Sequence, residues 1–270
     1  MNIPILLYHS VSEEVAPPFQ RWTVQPERFS EQLSYLRTQG YTPLTVAQLA
    51  AATTGQRTLP ERPVVVTFDD GLADFYTEAL PLLKKHDFVA TLFLTTDYIG
   101  KTSRWLAAVG EGERPMLNWE QVRELERYGV ECGAHTRTHP QLDTLSTAQA
   151  WGEIVGSKRT LEANLGKPVV SFAYPHGYYS AATKKLTKQA GFSAACAVKQ
   201  AMSNPTDDPF ALARIIIEAD TDLTTFKNLL DGRGVRPAPS GERWQTQGWR
   251  IARRLKKLLK TRPQRLEEAL

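Results

Sequence analysis

Two cysteines, Cys132 and Cys196, are all that the 270 residues contain. So few thiols exclude a disulfide framework, and nothing in the chain requires an oxidising compartment. Long apolar runs are missing as well, so no stretch spans a bilayer. The start, Met1-Asn2-Ile3-Pro4, has neither the basic residues nor the apolar stretch of a secretory signal. A cytoplasmic protein is therefore expected. Internal repeats and low-complexity segments are absent. Histidine is scarce, with five in the whole chain, so each one counts.

The basic balance of the chain is local. Residues 240–270 hold nine Lys/Arg and three Glu, which leaves 24 basic against 26 acidic residues in the rest. A basic tail is no argument that the main domain binds nucleic acid, and no nucleic-acid partner is expected. Within the tail, Trp249, Ile251, Leu255, Leu258 and Leu259 recur near helical spacing against a face of Arg and Lys. That is the pattern of a helix lying in a membrane interface, with residues 243–260 as a peripheral contact at the inner leaflet. The alternative is a helix whose apolar face packs on the domain while its cations are solvated. Pro237, Pro239 and Ser240-Gly241 make a linker before it. The division expected is one α/β domain over 1–236 and a linker with a basic amphipathic tail over 237–270.

What is present is organised around Pro63-Val64-Val65-Val66-Thr67-Phe68-Asp69-Asp70-Gly71. Its apolar, β-branched run reads as a strand buried on both faces. Two carboxylates at the mouth of such a strand are costly unless a cation, a hydrogen-bond network or water meets them. One of them could also simply cap a following helix, expected over 73–86. Strand-like runs at 5–8, 88–94, 130–134, 169–173 and 214–217 alternate with helical patterns, several opened by capping-box spacings such as Thr45…Gln48 and Ser146…Gln149. Alternation of this kind predicts a parallel sheet or barrel whose site lies at the carboxyl ends of the strands. His9, Asp69-Asp70, His135 and Tyr174-Pro175-His176 all fall there.

His135-Thr136-Arg137-Thr138-His139 places two imidazoles four residues apart, on one side if the segment turns helically. A catalytic zinc needs three ligands and an open position, and an Asp of the 69–70 pair is the natural third. Adjacent carboxylates can divide the labour, one holding metal and the other taking a proton from water.

Thr67-Phe68-Asp69-Asp70-Gly71 followed by His135-Thr136-x-x-His139 resembles the polysaccharide deacetylase family with the NodB homology domain, carbohydrate esterase family 4. Tyr8-His9-Ser10-Val11 and Phe172-Ala173-Tyr174-Pro175-His176-Gly177 resemble its poly-N-acetylglucosamine deacetylase branch. The resemblance covers residues 3–230. It implies a distorted (β/α) barrel and metal-dependent hydrolysis of an N-acetyl group on an amino sugar of a polysaccharide, oligosaccharide or lipid-linked glycan. It implies Asp69 as general base, Asp70, His135 and His139 as ligands of one divalent metal, usually Zn²⁺, and Tyr174, Pro175 and His176 around the substrate. It also implies an Arg that orients the base, where this chain has Ala173, and a late Leu-x-x-His acid, which is missing. His9 and His176 remain as candidate acids. Two other readings stand beside the deacetylase: a non-catalytic carbohydrate-binding protein that kept the metal site, and a deformylase of a lipid-linked amino sugar.

Overall fold

The computed structural model of the chain describes residues 2–14, 16–237, 248 and 253. At its centre is an eight-stranded sheet whose pairings are all parallel. In chain order the strands are β1 (Ile5–Tyr8), β2 (Thr42–Leu44), β3 (Pro63–Phe68), β4 (Ala90–Leu94), β5 (Val130–Ala134), β6 (Ser171–Ala173), β7 (Ala194–Cys196) and β8 (Ile215–Ile216). Across the sheet they run β8-β1-β3-β4-β5-β6-β7, with β2 pairing the first half of β3. A bridge between Cys196 and Leu212 ties β7 to the residues that lead into β8. The sheet therefore curls into the distorted barrel that the family resemblance implies, one of the two forms open to strand–helix alternation.

The helices are α1 (Pro26–Thr38), α2 (Val46–Thr53), α3 (Leu80–Lys85), α4 (Trp119–Leu125), α5 (Thr147–Leu165), α6 (Ala181–Gln189) and α7 (Leu223–Leu230). The capping boxes at Thr45 and Ser146 form as their spacing predicts, and two more close at Asn118 and Ser180. The single helix expected over 73–86 is instead a π-turn, Phe75–Ala79, followed by α3. Pro81 has no N–H to give, and the Leu80 N–H bonds back to Phe75 in the wider register. Two strands escape the hydrophobic pattern. β2 contains Pro43, and β7 is Ala194-Ala195-Cys196, with no β-branched residue to mark it.

Strand alternation aims the site. Leu6, Tyr8, Val64, Val66, Phe68, Leu92, Leu94, Cys132 and Ala134 join one buried cluster with Phe29, Leu33 and Leu36 of α1 and Ile154 and Leu161 of α5. Ile5, Val65, Phe93, Ala173 and Cys196 belong to a second cluster on the opposite face, inside the barrel. Counting by twos from Ile5, Val65 and Gly133 reaches His9, Asp69 and His135, one step past three strand ends on that inner face. Gly133 is required there: a Cβ would sit 2.6 Å from the Phe93 ring and from Ser171 Oγ. The tail expected as a basic helix lies outside the described residues, apart from Gly248 and Arg253.

Candidate active site

The two carboxylates after β3 meet opposite surroundings. Asp69 is gripped from both sides of its carboxylate by Arg214: Nη1 donates to Oδ1 at 2.7 Å and Nη2 to Oδ2 at 2.7 Å. The guanidinium is fully buried, and its remaining donors reach Thr67 Oγ1 at 3.2 Å and the Ala197 carbonyl at 3.1 Å. Burial pushes the Asp69 carboxyl up, but Arg214 and His135 outweigh it and hold it below the usual carboxylate range. Arg214 thus supplies the orienting cation that the sequence reading sought at Ala173. It arrives from the segment opening β8, 145 residues along the chain from its carboxylate, where no local pattern marks it.

Asp70 has no such partner. Its backbone is left-handed at φ 76°, and Gly71 follows at φ 89° with only 2.7 Å between its missing Cβ and Leu94 Cδ2. Asp70 Oδ1 is buried without a hydrogen bond, 3.3 Å from His139 Nε2 and 3.7 Å from His135 Nε2. The His135 Nδ1–H donates to the Ala173 carbonyl at 2.8 Å, which fixes Nε2 as a bare lone pair. Burial and the neighbouring Asp69 charge raise the Asp70 carboxyl to about 8. Burial lowers both imidazoles, so they are neutral. Ligand-type atoms of Asp70, His135 and His139 thus lie within 4.8 Å of one another. Two imidazoles and a carboxylate fit a divalent ion of the zinc type.

The two histidines are not on a helix, contrary to one expectation. They flank an irregular turn with Thr136 at φ 67° and His139 at φ 59°. Glu153 of α5 clamps that turn: Oε2 accepts from the Arg137 and Thr138 amides at 2.9 Å each, and Oε1 from Thr138 Oγ1 at 2.7 Å. Sequence reasoning missed Glu153, which carries no motif of its own.

His9 and His176 both face the cavity above these groups, which measures about 450 Å³. Burial brings each imidazole down to about 4. His9 lies under Trp22, with ring centroids 5.2 Å apart and Nδ1 buried without a partner. His176 stands 4.6 Å from the His139 ring, in a left-handed conformation at φ 57°. Tyr174 and Pro175 are not cavity residues. Tyr174 is fully buried, its hydroxyl donating to the Phe210 carbonyl at 3.1 Å, and Pro175 is buried beside it. Of the three residues expected around the substrate, only His176 reaches the cavity.

Comparison with known proteins agrees with this geometry. The family model for polysaccharide deacetylase matches residues 56–195. The chain belongs to the polysaccharide deacetylase family. A Bacillus subtilis (strain 168) protein of the polysaccharide deacetylase class, YxkH, is 28% identical over 225 residues, 83% of this chain and 75% of that one. The poly-beta-1,6-N-acetyl-D-glucosamine N-deacetylase of Escherichia coli (strain K12) is 34% identical over 134 residues, 48% of this chain and only 20% of that larger protein. Among solved structures, the Streptococcus pyogenes deacetylase PplD, in complex with acetate, superposes with a TM-score of 0.74 at 25% identity, covering 85% of this chain and 98% of that one. As a family member the chain is a hydrolase of the deacetylase class, built on a half-open parallel barrel. No helix among the described residues is long and apolar enough to cross a membrane.

Proposed function

We propose that this chain is a metal-dependent N-deacetylase that hydrolyses the acetamide of an N-acetylated amino sugar. The observation that carries the reading is the split between adjacent carboxylates, one ionised and oriented, the other aimed with two imidazoles at a common point. Asp70, His135 and His139 would hold one divalent ion, best matched by zinc. When bound, the ion supplies a Lewis acid that acidifies water and polarises the acetyl carbonyl.

The remaining chemistry belongs to the chain. Asp69, ionised and fixed by Arg214, takes a proton from the attacking water. His9 receives the proton that Asp69 took from water and delivers it to the departing sugar nitrogen. Burial keeps its ring neutral in the free protein, with the Asp69 charge opposing that effect. Negative charge developing on the attacked carbonyl raises the proton affinity of the ring as the reaction proceeds. In net balance, the proton lost by water leaves with the amine. His176, at the rim beside Tyr178, would position the sugar. Within the 174–178 turn, the Tyr174, Gly177 and Tyr178 amides already donate to backbone carbonyls. An oxyanion donor from this turn would therefore be the His176 amide.

The Asp69–Arg214 grip speaks against a purely sugar-binding protein, because a binding site has no use for an oriented base. A peripheral membrane contact would rest on the tail cations of 243–260 other than Arg253, which pairs with Asp143. A cytoplasmic setting remains part of the same proposal. The test is acetate release from N-acetylglucosamine oligosaccharides by protein loaded with zinc, stripped with chelator and reloaded. Release that chelator abolishes and zinc restores is expected; a loaded protein that releases no acetate from any N-acetyl amino sugar overturns the reading.

A further inference from the structure

The cavity over the site is lined in a way that does not match a bare sugar chain. Apart from the histidines, the two aspartates, and the indole or phenol groups of Trp22, Trp105 and Tyr178, its lining has no polar side chain. No Asn, Gln, Ser, Thr, Lys, Arg or Glu faces it among the described residues. Pyranose rings of a polymer carry several hydroxyls each, and each one buried without a partner weakens binding. Instead, Phe19 and Trp22 from one turn face Trp105, Leu106 and Val109 from another, with Val198 nearby.

These apolar panels are built, not incidental. Arg114 and Asp74 pair at 2.9 Å with side chains only 11% and 10% exposed, and Arg114 also reaches Glu111 at 3.1 Å and Ser10 Oγ at 2.6 Å. Glu111 accepts from the Ala16 amide at 2.7 Å, and the Val11 amide donates to Asp74 at 3.0 Å. A buried ionic network therefore fastens the turn bearing Trp105, Leu106 and Val109 to the segment leading into Phe19 and Trp22. Phe19 itself lies in one small buried cluster with Trp22, Trp105, Leu106 and Val109 packed around it.

We infer that the cavity takes an apolar chain carried by the amino sugar, so that the substrate is an amphiphilic N-acyl amino sugar. The inference rests on the deacetylase reading of the site and extends it from bare N-acetyl sugars to amphiphilic N-acyl ones. The chain has two sources with the same chemistry, an alkyl aglycone of the glycolipid kind or a longer N-acyl group.

The experiment compares the zinc-loaded full chain on methyl, butyl, hexyl and octyl β-glycosides of N-acetylglucosamine below their micellar range. Methyl glycosides with N-butanoyl and N-hexanoyl groups form a second arm, and a bare N-acetylglucosamine pentamer a third. Burial of a methylene strengthens binding by up to about four-fold. In at least one of the first two arms, KM is expected to fall at least about ten-fold from the shortest to the longest chain. The arm in which it falls identifies the source. Leu106→Asn and Val109→Asn, at two half-buried positions of the turn that line the cavity, are expected to flatten that dependence on chain length. Binding of octyl β-glucoside, which has no acetamide, should weaken in the same variants by calorimetry. If all glycosides and N-acyl derivatives are hydrolysed alike, or the pentamer is preferred, the inference is overturned while the deacetylase stands. If none of the series is hydrolysed, the reading of the site falls first.

Discussion

Asp69 and Asp70 are neighbours in sequence and opposites in surroundings, and the contrast divides the site into a satisfied half and an unsatisfied half. On the β8 side, the Asp69 carboxylate has a fully buried, two-pronged cation and stays ionised. On the β5 side, Asp70 faces two neutral imidazoles, has an orphan oxygen, and keeps its proton up to about 8. A half that is complete without a ligand suits a group that must act on the substrate. A half left incomplete suits a group that waits for an ion. Both carboxylates still reach one site, 3.8 Å and 3.7 Å from His135 Nε2, because Asp70 has left the extended region and breaks strand alternation; what differs is that only Asp69 meets Arg214.

The largest effects should come from breaking the satisfied half. Asp69→Asn is expected to cut turnover by about 10²–10⁴-fold while zinc content by elemental analysis stays near wild type. Equal activity would remove Asp69 from the chemistry. Arg214→Met should cost stability as well as rate, because it leaves a buried carboxylate unpaired, a loss of about 3–5 kcal/mol in comparable cases. Denaturant unfolding reads it, and a midpoint unchanged from wild type would show that water replaces the guanidinium.

The unsatisfied half should answer to pH. Metal-free protein binds the Asp70 proton more tightly folded than unfolded, so between about 4 and about 8 the folded state holds more protons. Stability of the metal-free protein should therefore fall as pH rises through that window. Zinc must displace that proton, so apparent zinc affinity should rise by up to about ten-fold per pH unit below 8 and level off above it. Calorimetry at pH 6.5 in buffers of different ionisation heat should detect release of roughly one proton. In Asp70→Asn both dependences should disappear and zinc binding should weaken. A pH-independent affinity in the wild type would contradict the contrast.

How much of this was legible in the sequence varies by element. The strand under Asp69 and a parallel sheet or barrel follow from hydrophobic runs and alternation, and spacing points to His135, His139 and one Asp of the 69–70 pair; the choice of Asp70 comes from the family resemblance alone. Arg214 was not assigned, because a guanidinium 145 residues away from its carboxylate has no local pattern to announce it. Glu153 escaped for the same reason, and Tyr174 was misplaced because motif adjacency cannot tell the buried face of a turn from the open one. The helical turn expected between the two histidines failed on backbone grounds, since two left-handed residues interrupt it.

Glu153 sharpens the comparison at a smaller scale. It touches no ligand atom, yet it fixes the turn that sets the spacing of His135 and His139. Glu153→Ala should weaken zinc affinity by about 10–100-fold, the usual cost of losing such outer support. Glu153→Gln keeps a carbonyl oxygen for the two amides and should recover most of it. If both variants bind zinc like wild type, the turn is held by the Thr136 and Arg137 contacts to residues 96 and 97 instead.

The smallest effect concerns the tail, which the sequence alone assigned to a membrane surface or to packing on the domain. Arg253 donates to Asp143, whose side chain is 1% exposed, and its guanidinium lies 3.9 Å from the Tyr178 ring centroid at the rim of the cavity. Burial and His135 lower His176 most, and Arg253 adds to the lowering while Asp143 opposes it. Arg253→Met should therefore let His176 titrate closer to its ordinary value, read by NMR of the ring protons. The same change should couple to Asp143→Asn in a double-mutant cycle by about 0.5–3 kcal/mol, the range for residues in direct contact. A purely membrane-directed tail predicts zero coupling and an unmoved His176, together with liposome flotation lost on truncation after Ala238. Coupling with flotation unchanged by truncation places the basic segment's role at the cavity rim, on the unsatisfied side of the site.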